Sequence, residues 1–141
     1  MIELDNRTSL PVDTDMLQRV ALKCTERDLE LILCDDETIR ELNREYRGKD
    51  RPTDVLSFPL SGDLPHQPLG SLVVSADRVR EKASELGHRE AEELTLLFIH
   101  GLLHLLGYDH ETDEGEMRAK EEALIRELGL PESLIVRTEG A

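Results

Sequence analysis

Apolar residues recur along this 141-residue chain with two different periods, and the switches between them predict the elements. Met1 to Arg7 alternates weakly, as an edge strand does. Asp13 is placed as an N-cap, and Met16, Leu17, Val20, Ala21 and Cys24 follow at helical spacing. Leu29 to Cys34 reads as a buried strand. Asp35 and Asp36 then offer caps for a short helix carrying Ile39 and Leu42 on one side. Gly48 to Pro52 is loop chemistry, and Val55 to Leu60 is a strand that Pro59 ends or pushes to an edge. Ser61 to Gly70 connects it to a strand at Leu72 to Ser75 and a helix to about Leu86, which Gly87 is placed to stop. Arg89 to Leu106 is apolar on most of its circumference and so reads as a buried central helix, broken by Gly107. Thr112 or Asp113 opens a last amphipathic helix with Met117, Ala123, Leu124 and Leu128, closed by Gly129 and Pro131. The expected architecture is one α+β domain over residues 1–141, a small mixed four-stranded sheet packed with about five helices.

Composition changes this picture little: 34% charged and 38% hydrophobic residues suit a folded chain rather than a disordered one. The longest strongly apolar stretch, Leu94 to Leu106, is too short to cross a bilayer, so no membrane partner is expected. No basic, apolar, small-residue pattern opens the chain, which makes the cytoplasm the expected location. Cys24 and Cys34, with no CxxC pattern, read as small buried or partly buried hydrophobic residues in a reducing compartment, with a disulfide or thiolate ligand as the alternative. The net charge of −14 argues against a nucleic-acid footprint spread over the whole surface. Charge is unevenly placed, however. Arg40, Arg44, Arg47, Lys49 and Arg51 stand against three acidic residues in the same stretch, so a local cationic surface can coexist with an acidic remainder.

The strongest chemical signal is HGLLHLLGYDH, residues 100 to 110. On a helix His100 and His104 lie about 40° apart around the axis and about 6 Å apart along it, which puts both rings on one face. Gly107 can take the left-handed conformation that turns the chain back, so that His110 reaches the same ion. The offsets 0, 4, 7 and 10 match those of the HExxHxxGxxH zinc motif. The expectation is one zinc ion per chain on His100, His104 and His110, with an open fourth position and hence a catalytic role. A structural zinc with Asp109 or a cysteine as fourth ligand is the alternative. In zinc peptidases the residue after the first histidine is a glutamate that accepts a proton. Here it is Gly101, so peptide hydrolysis by that route is not expected.

The second signal is the cationic stretch around Arg47. Its fork suits a phosphoryl oxygen, and Lys49 or Arg51 can hold neighbouring phosphates; a solvated charged loop is the plain alternative. Tyr46, Phe58, Phe98 and Tyr108 are too few for an extended stacking platform, although Tyr46 and Tyr108 flank the proposed site. His66 and His88 read as surface polar residues.

Together LNREYRGKDRPTDVLSFP (Leu42 to Pro59) and HGLLHLLGYDH (His100 to His110) resemble the YbeY family of bacterial single-strand-specific endoribonucleases. That resemblance implies a zincin-like α+β fold with zinc on the three histidines of the central helix and its following turn. It implies hydrolytic cleavage of single-stranded RNA in processing the 3′ end of 16S ribosomal RNA, and a part in ribosome maturation and quality control. The small ribosomal subunit, a ribosomal protein or an assembly GTPase are the implied partners. The family's catalytic arginine corresponds to Arg47. Asp54, Asp109 or solvent ionised at the metal are the candidate proton acceptors. One departure is Ser71, where the family usually has aspartate after the glycine, which puts any part of that aspartate in shaping the cleft in doubt here. A metal hydrolase for another substrate, or a non-catalytic assembly factor with a structural zinc, are the rival readings.

Overall fold

The computed structural model describes residues 1–60, 67–108 and 115–130. Along the chain run β1 (Ile2–Asn6), α1 (Thr14–Cys24), β2 (Leu29–Cys34), α2 (Asp36–Arg47), β3 (Val55–Pro59), β4 (Gly70–Ser75), α3 (Ala76–Leu86), α4 (Glu90–Leu105) and α5 (Glu116–Glu127). Local chemistry sets most of these boundaries. Asp13 accepts from the Met16 amide at 3.1 Å and Asp35 from the Thr38 amide at 2.8 Å, so both expected caps satisfy donors that the first helical turn leaves unpaired. Gly87 ends α3 with a φ of 71°, the left-handed cap that its position suggested. The last helix starts at Glu116, after Gly115; Thr112 and Asp113, its expected openers, lie outside the described residues.

The four strands form one mixed sheet in the order β1-β2-β4-β3. The β1–β2 and β2–β4 pairs are parallel, and β3 runs antiparallel to β4 at an edge, where Pro59 as its last residue costs no ladder bond. Because side chains alternate along a strand, the sheet has two apolar faces. Leu31, Leu33, Leu72 and Val74 meet α1, α3, α4 and α5 on one side. Cys34, Leu56 and Val73 meet Ile39 of α2 on the other. Among the described residues the expected α+β class, four-stranded sheet and five helices all hold.

Helix α4 is the centre of the larger layer: Leu94, Phe98, Ile99, Leu102 and Leu103 are all essentially inaccessible. Each such side chain contributes about 2 kcal/mol on burial, which outweighs the roughly 1 kcal/mol that a glycine at position 101 costs a helix. Glu92 closes the helix start by accepting from the Arg89 amide at 2.8 Å. Among the described residues, no helix is long and apolar enough to cross a membrane.

Candidate active site

Where α4 ends, its backbone does two jobs. Gly107 adopts a φ of 99°, its amide donates to the His104 carbonyl at 3.0 Å, and the Tyr108 amide donates to the Leu103 carbonyl at 3.0 Å. That pairing is a Schellman closure, and it brings the Tyr108 carbonyl back toward the helix. His104 Nδ1 lies 3.1 Å from that carbonyl oxygen. A carbonyl can only accept, so His104 carries its proton on Nδ1 and presents a lone pair at Nε2. The helix-breaking glycine thus also sets a tautomer.

His100 is set by a different element. Its Nδ1 lies 2.9 Å from Oε1 of Glu121, a 4% exposed residue on α5. An ionised carboxylate likewise accepts only, which again leaves Nε2 with the lone pair. The two Nε2 atoms face each other at 3.2 Å. Two lone pairs that close repel unless a cation lies between them. Nitrogens bound tetrahedrally to zinc at about 2.0–2.1 Å would stand roughly 3.3 Å apart, so this pair has the separation a shared zinc ion needs.

His110, the expected third ligand, and Asp109 lie outside the described residues. Among the described residues no group of three His, Cys, Asp or Glu side chains is gathered for a metal. The cysteines do not complete the site. Burial pushes the Cys34 thiol up to about 11, with the charge of Asp35 adding to it, and burial likewise raises Cys24. Both are free thiols, as expected, and neither lines the cavity beside the histidines.

That cavity, of about 370 Å³, is lined by His100 and His104 together with Arg47, Thr53 and Asp54. Arg47 is the last residue of α2, on the far face of the sheet, and it reaches round edge strand β3, where its guanidinium meets the Ser57 carbonyl at 3.4 Å. Lys49 and Arg51 line an adjoining cavity rather than this one. Asp54 lines both. Tyr46 is 63% exposed and stands edge-on to Phe58, ring centres 5.4 Å apart. Phe98 belongs to the core, and Tyr108 is half-buried against it.

Gly101 owes its identity to packing. A Cβ there would lie 2.8 Å from Leu72 Cδ2 and 3.1 Å from Val55 Cγ2, because α4 crosses the sheet closely at this turn. Position 101 faces strands, so a proton-accepting glutamate has no room. Gly101→Ala is expected to cost about 1 kcal/mol in urea unfolding. Overpacking against the fully buried Leu72 costs about 1–3 kcal/mol and exceeds the gain of up to about 1 kcal/mol in helix propensity.

The structure overturns one sequence expectation, at His88, and gives Ser71 and Glu121 surroundings that the sequence did not specify. His88 is no surface residue: its side chain is 8% exposed and its Nδ1 lies 3.0 Å from fully buried Glu93. Ser71 lies on the sheet face opposite Leu72, off the cavity lining, and its hydroxyl meets Glu30 at 3.0 Å. Whatever an aspartate does there in other chains, here the position does not shape the histidine cavity. Glu121 was not foreseen at all. Its signal was a carboxylate on the inner face of α5, four residues after Met117, where burial of a charge demands a partner. His66 lies outside the described residues.

Fold and cavity together define a small α+β protein in which paired imidazoles from α4 and an arginine from α2 line one cavity. Comparison with known proteins makes the assignment sharper. The family described as "Endoribonuclease YbeY" matches residues 7–129, and the chain belongs to it. An endoribonuclease YbeY of Sulfurovum is 60% identical, with 99% of this chain and 98% of that protein covered. Those of Nautilia profundicola and Helicobacter pylori are 58% and 54% identical over 99% of the chain and 99% and 98% of their own lengths. The solution structure of a Thermotoga maritima protein is similar at a TM-score of 0.62 and 33% identity, covering 91% of this chain and 89% of that one.

Proposed function

We propose that this protein is a zinc-dependent endoribonuclease for single-stranded RNA, acting in the cytoplasm on the 3′ end of 16S ribosomal RNA in maturation and quality control of the small subunit. The observation that carries the reading is the Nε2 pair at 3.2 Å with both Nδ1 atoms anchored, in a cavity that Arg47 also lines. His100 and His104, joined by His110, would hold the zinc, which supplies Lewis acidity toward a phosphoryl oxygen or a water molecule. The zincin-like description of the fold rests on the same helix, packed along edge strand β3.

The chain's own residues divide the remaining work. Arg47 places a planar cation where charge develops on the phosphoryl oxygens, and its docking on the Ser57 carbonyl aims it into the cavity. Of the candidate proton acceptors, Asp54 lines the cavity and Asp109 lies outside the described residues, while Glu121 holds His100. Tyr46 offers an exposed ring braced by Phe58, to which an unpaired base can stack and a paired one cannot. The acidic remainder repels bulk RNA, which favours delivery by a ribosomal protein or assembly GTPase.

Zinc-loaded protein is expected to cut a single-stranded oligonucleotide and spare its duplex. Turnover of a small ester without RNA cleavage would instead favour a different hydrolase, and zinc binding with no turnover an assembly factor. Glu121→Gln is expected to weaken zinc binding by about 10–100-fold, measured by competition with a chelator, since the amide orients His100 less firmly than a carboxylate.

A further inference from the structure

Beside the histidine cavity lies a second one of about 360 Å³, and the two share Arg47, Thr53, Asp54 and Val55 as a common wall. Lys49, Arg51 and Arg78 line only the second. Among the described residues four cations against one carboxylate give its wall a formal charge of +3, in a chain whose net charge is −14. Among the described residues Arg47, Lys49 and Arg51 form no ion pair, although acidic residues outnumber basic ones by 31 to 17. Clustering like charges costs free energy unless an anion joins them.

The loop bearing these cations is tied down. Gly48 caps α2 in the left-handed region at φ 68°, and the Lys49 amide donates to the Asn43 carbonyl at 3.3 Å. Buried Asn43 donates through Nδ2 to the Arg51 carbonyl at 2.9 Å, and the Ser75 amide donates to the Asp54 carbonyl at 3.0 Å. Arg78 approaches from another element, the first turn of α3. Its side chain is 28% exposed and is held through Nε against Asp36 at 3.4 Å. Its terminal amino groups make no other hydrogen bond among the described residues.

We infer that this second cavity is a phosphate subsite, which takes the phosphodiester next along the RNA from the one being cut, with Arg78 as its far wall. The inference rests on the endoribonuclease function proposed for the histidine cavity and deepens it. A strand with one phosphate in the first cavity must carry its neighbour within a nucleotide's reach, and the shared wall leads there. Positioning the strand by two phosphates also holds the scissile one in register.

The test is binding of metal-free protein to a single-stranded RNA dodecamer at several salt concentrations. Arg78→Met keeps the aliphatic stem and removes the charge. The expected result is a loss of about three- to tenfold in affinity, with the slope of log K on log salt shallower by about 0.7. Replacing the neighbouring linkage by a neutral methylphosphonate should cost wild type as much and Arg78→Met nothing further. Wild-type affinity and slope in a natively folded Arg78→Met overturn the subsite. Should that variant not fold, because Asp36 is left alone, Arg51→Gln in the exposed loop is measured in the same way: the same losses support the subsite, and wild-type binding overturns it. Failure of the endoribonuclease function shows separately, as absence of RNA cleavage by zinc-loaded wild type.

Discussion

Replacing His104 with alanine is expected to lower zinc affinity by more than about a hundredfold while the protein stays folded. Losing an orienting partner of a ligand already costs about 10–100-fold, and losing the ligand itself removes a metal bond as well. His104 is only half-buried at the rim of the cavity, so its truncation leaves the apolar layer of α4 intact. Competition against a chromogenic chelator measures the affinity, and far-ultraviolet circular dichroism checks the fold. Wild-type zinc affinity in His104→Ala would remove the imidazole pair from the metal site. The graded comparison matters: Glu121→Gln should fall between wild type and His104→Ala, because it disturbs a ring that still binds.

Arg47→Ala is expected to lower kcat for RNA cleavage by about a hundred- to a thousandfold, the usual cost of removing one donor aimed at developing charge. Zinc affinity should not change, since Arg47 touches β3 and neither histidine. Arg47→Lys should recover little of the loss, because a point charge on a flexible stem cannot reproduce a planar fork resting on the Ser57 carbonyl. Single-turnover rates on a short oligonucleotide separate this from weaker binding. An unchanged kcat in Arg47→Ala would take the residue out of the reaction. The contrast with Arg78→Met is informative, since that substitution should act on binding and its salt dependence.

Much of the candidate site was legible because it is local. Helical spacing puts His100 and His104 on one face, and Gly107 after them announces the turn, whatever the rest of the chain does. The caps at Asp13, Asp35 and Gly87 are equally local and stand where the pattern placed them. What was missed involves partners or faces that the local pattern does not show. Glu121 reaches His100 across twenty-one residues, and its place on the inner face of α5 shows that it needs a partner but not which one. His88 looked like a polar residue at a helix start, yet α3 and α4 close over it with Glu93. Ser71 drew attention as a departure from a motif, although the pleat turns it to the other face.

From the amino-acid order alone followed the elements, their approximate ends, the α+β class and the helical pairing of two imidazoles, since each depends on periodicity or on a neighbour within a turn. Only the tertiary structure decided that β4 lies between β2 and β3, that Arg47 meets edge strand β3 and lines the same cavity as the histidines, and that Gly101 is a packing residue. Strand order and the meeting of distant side chains depend on which apolar faces bury each other, and every strand here is apolar enough to pair with several others. The tautomer of His100 belongs to this second group, for a carboxylate brought in by α5 holds its proton on Nδ1.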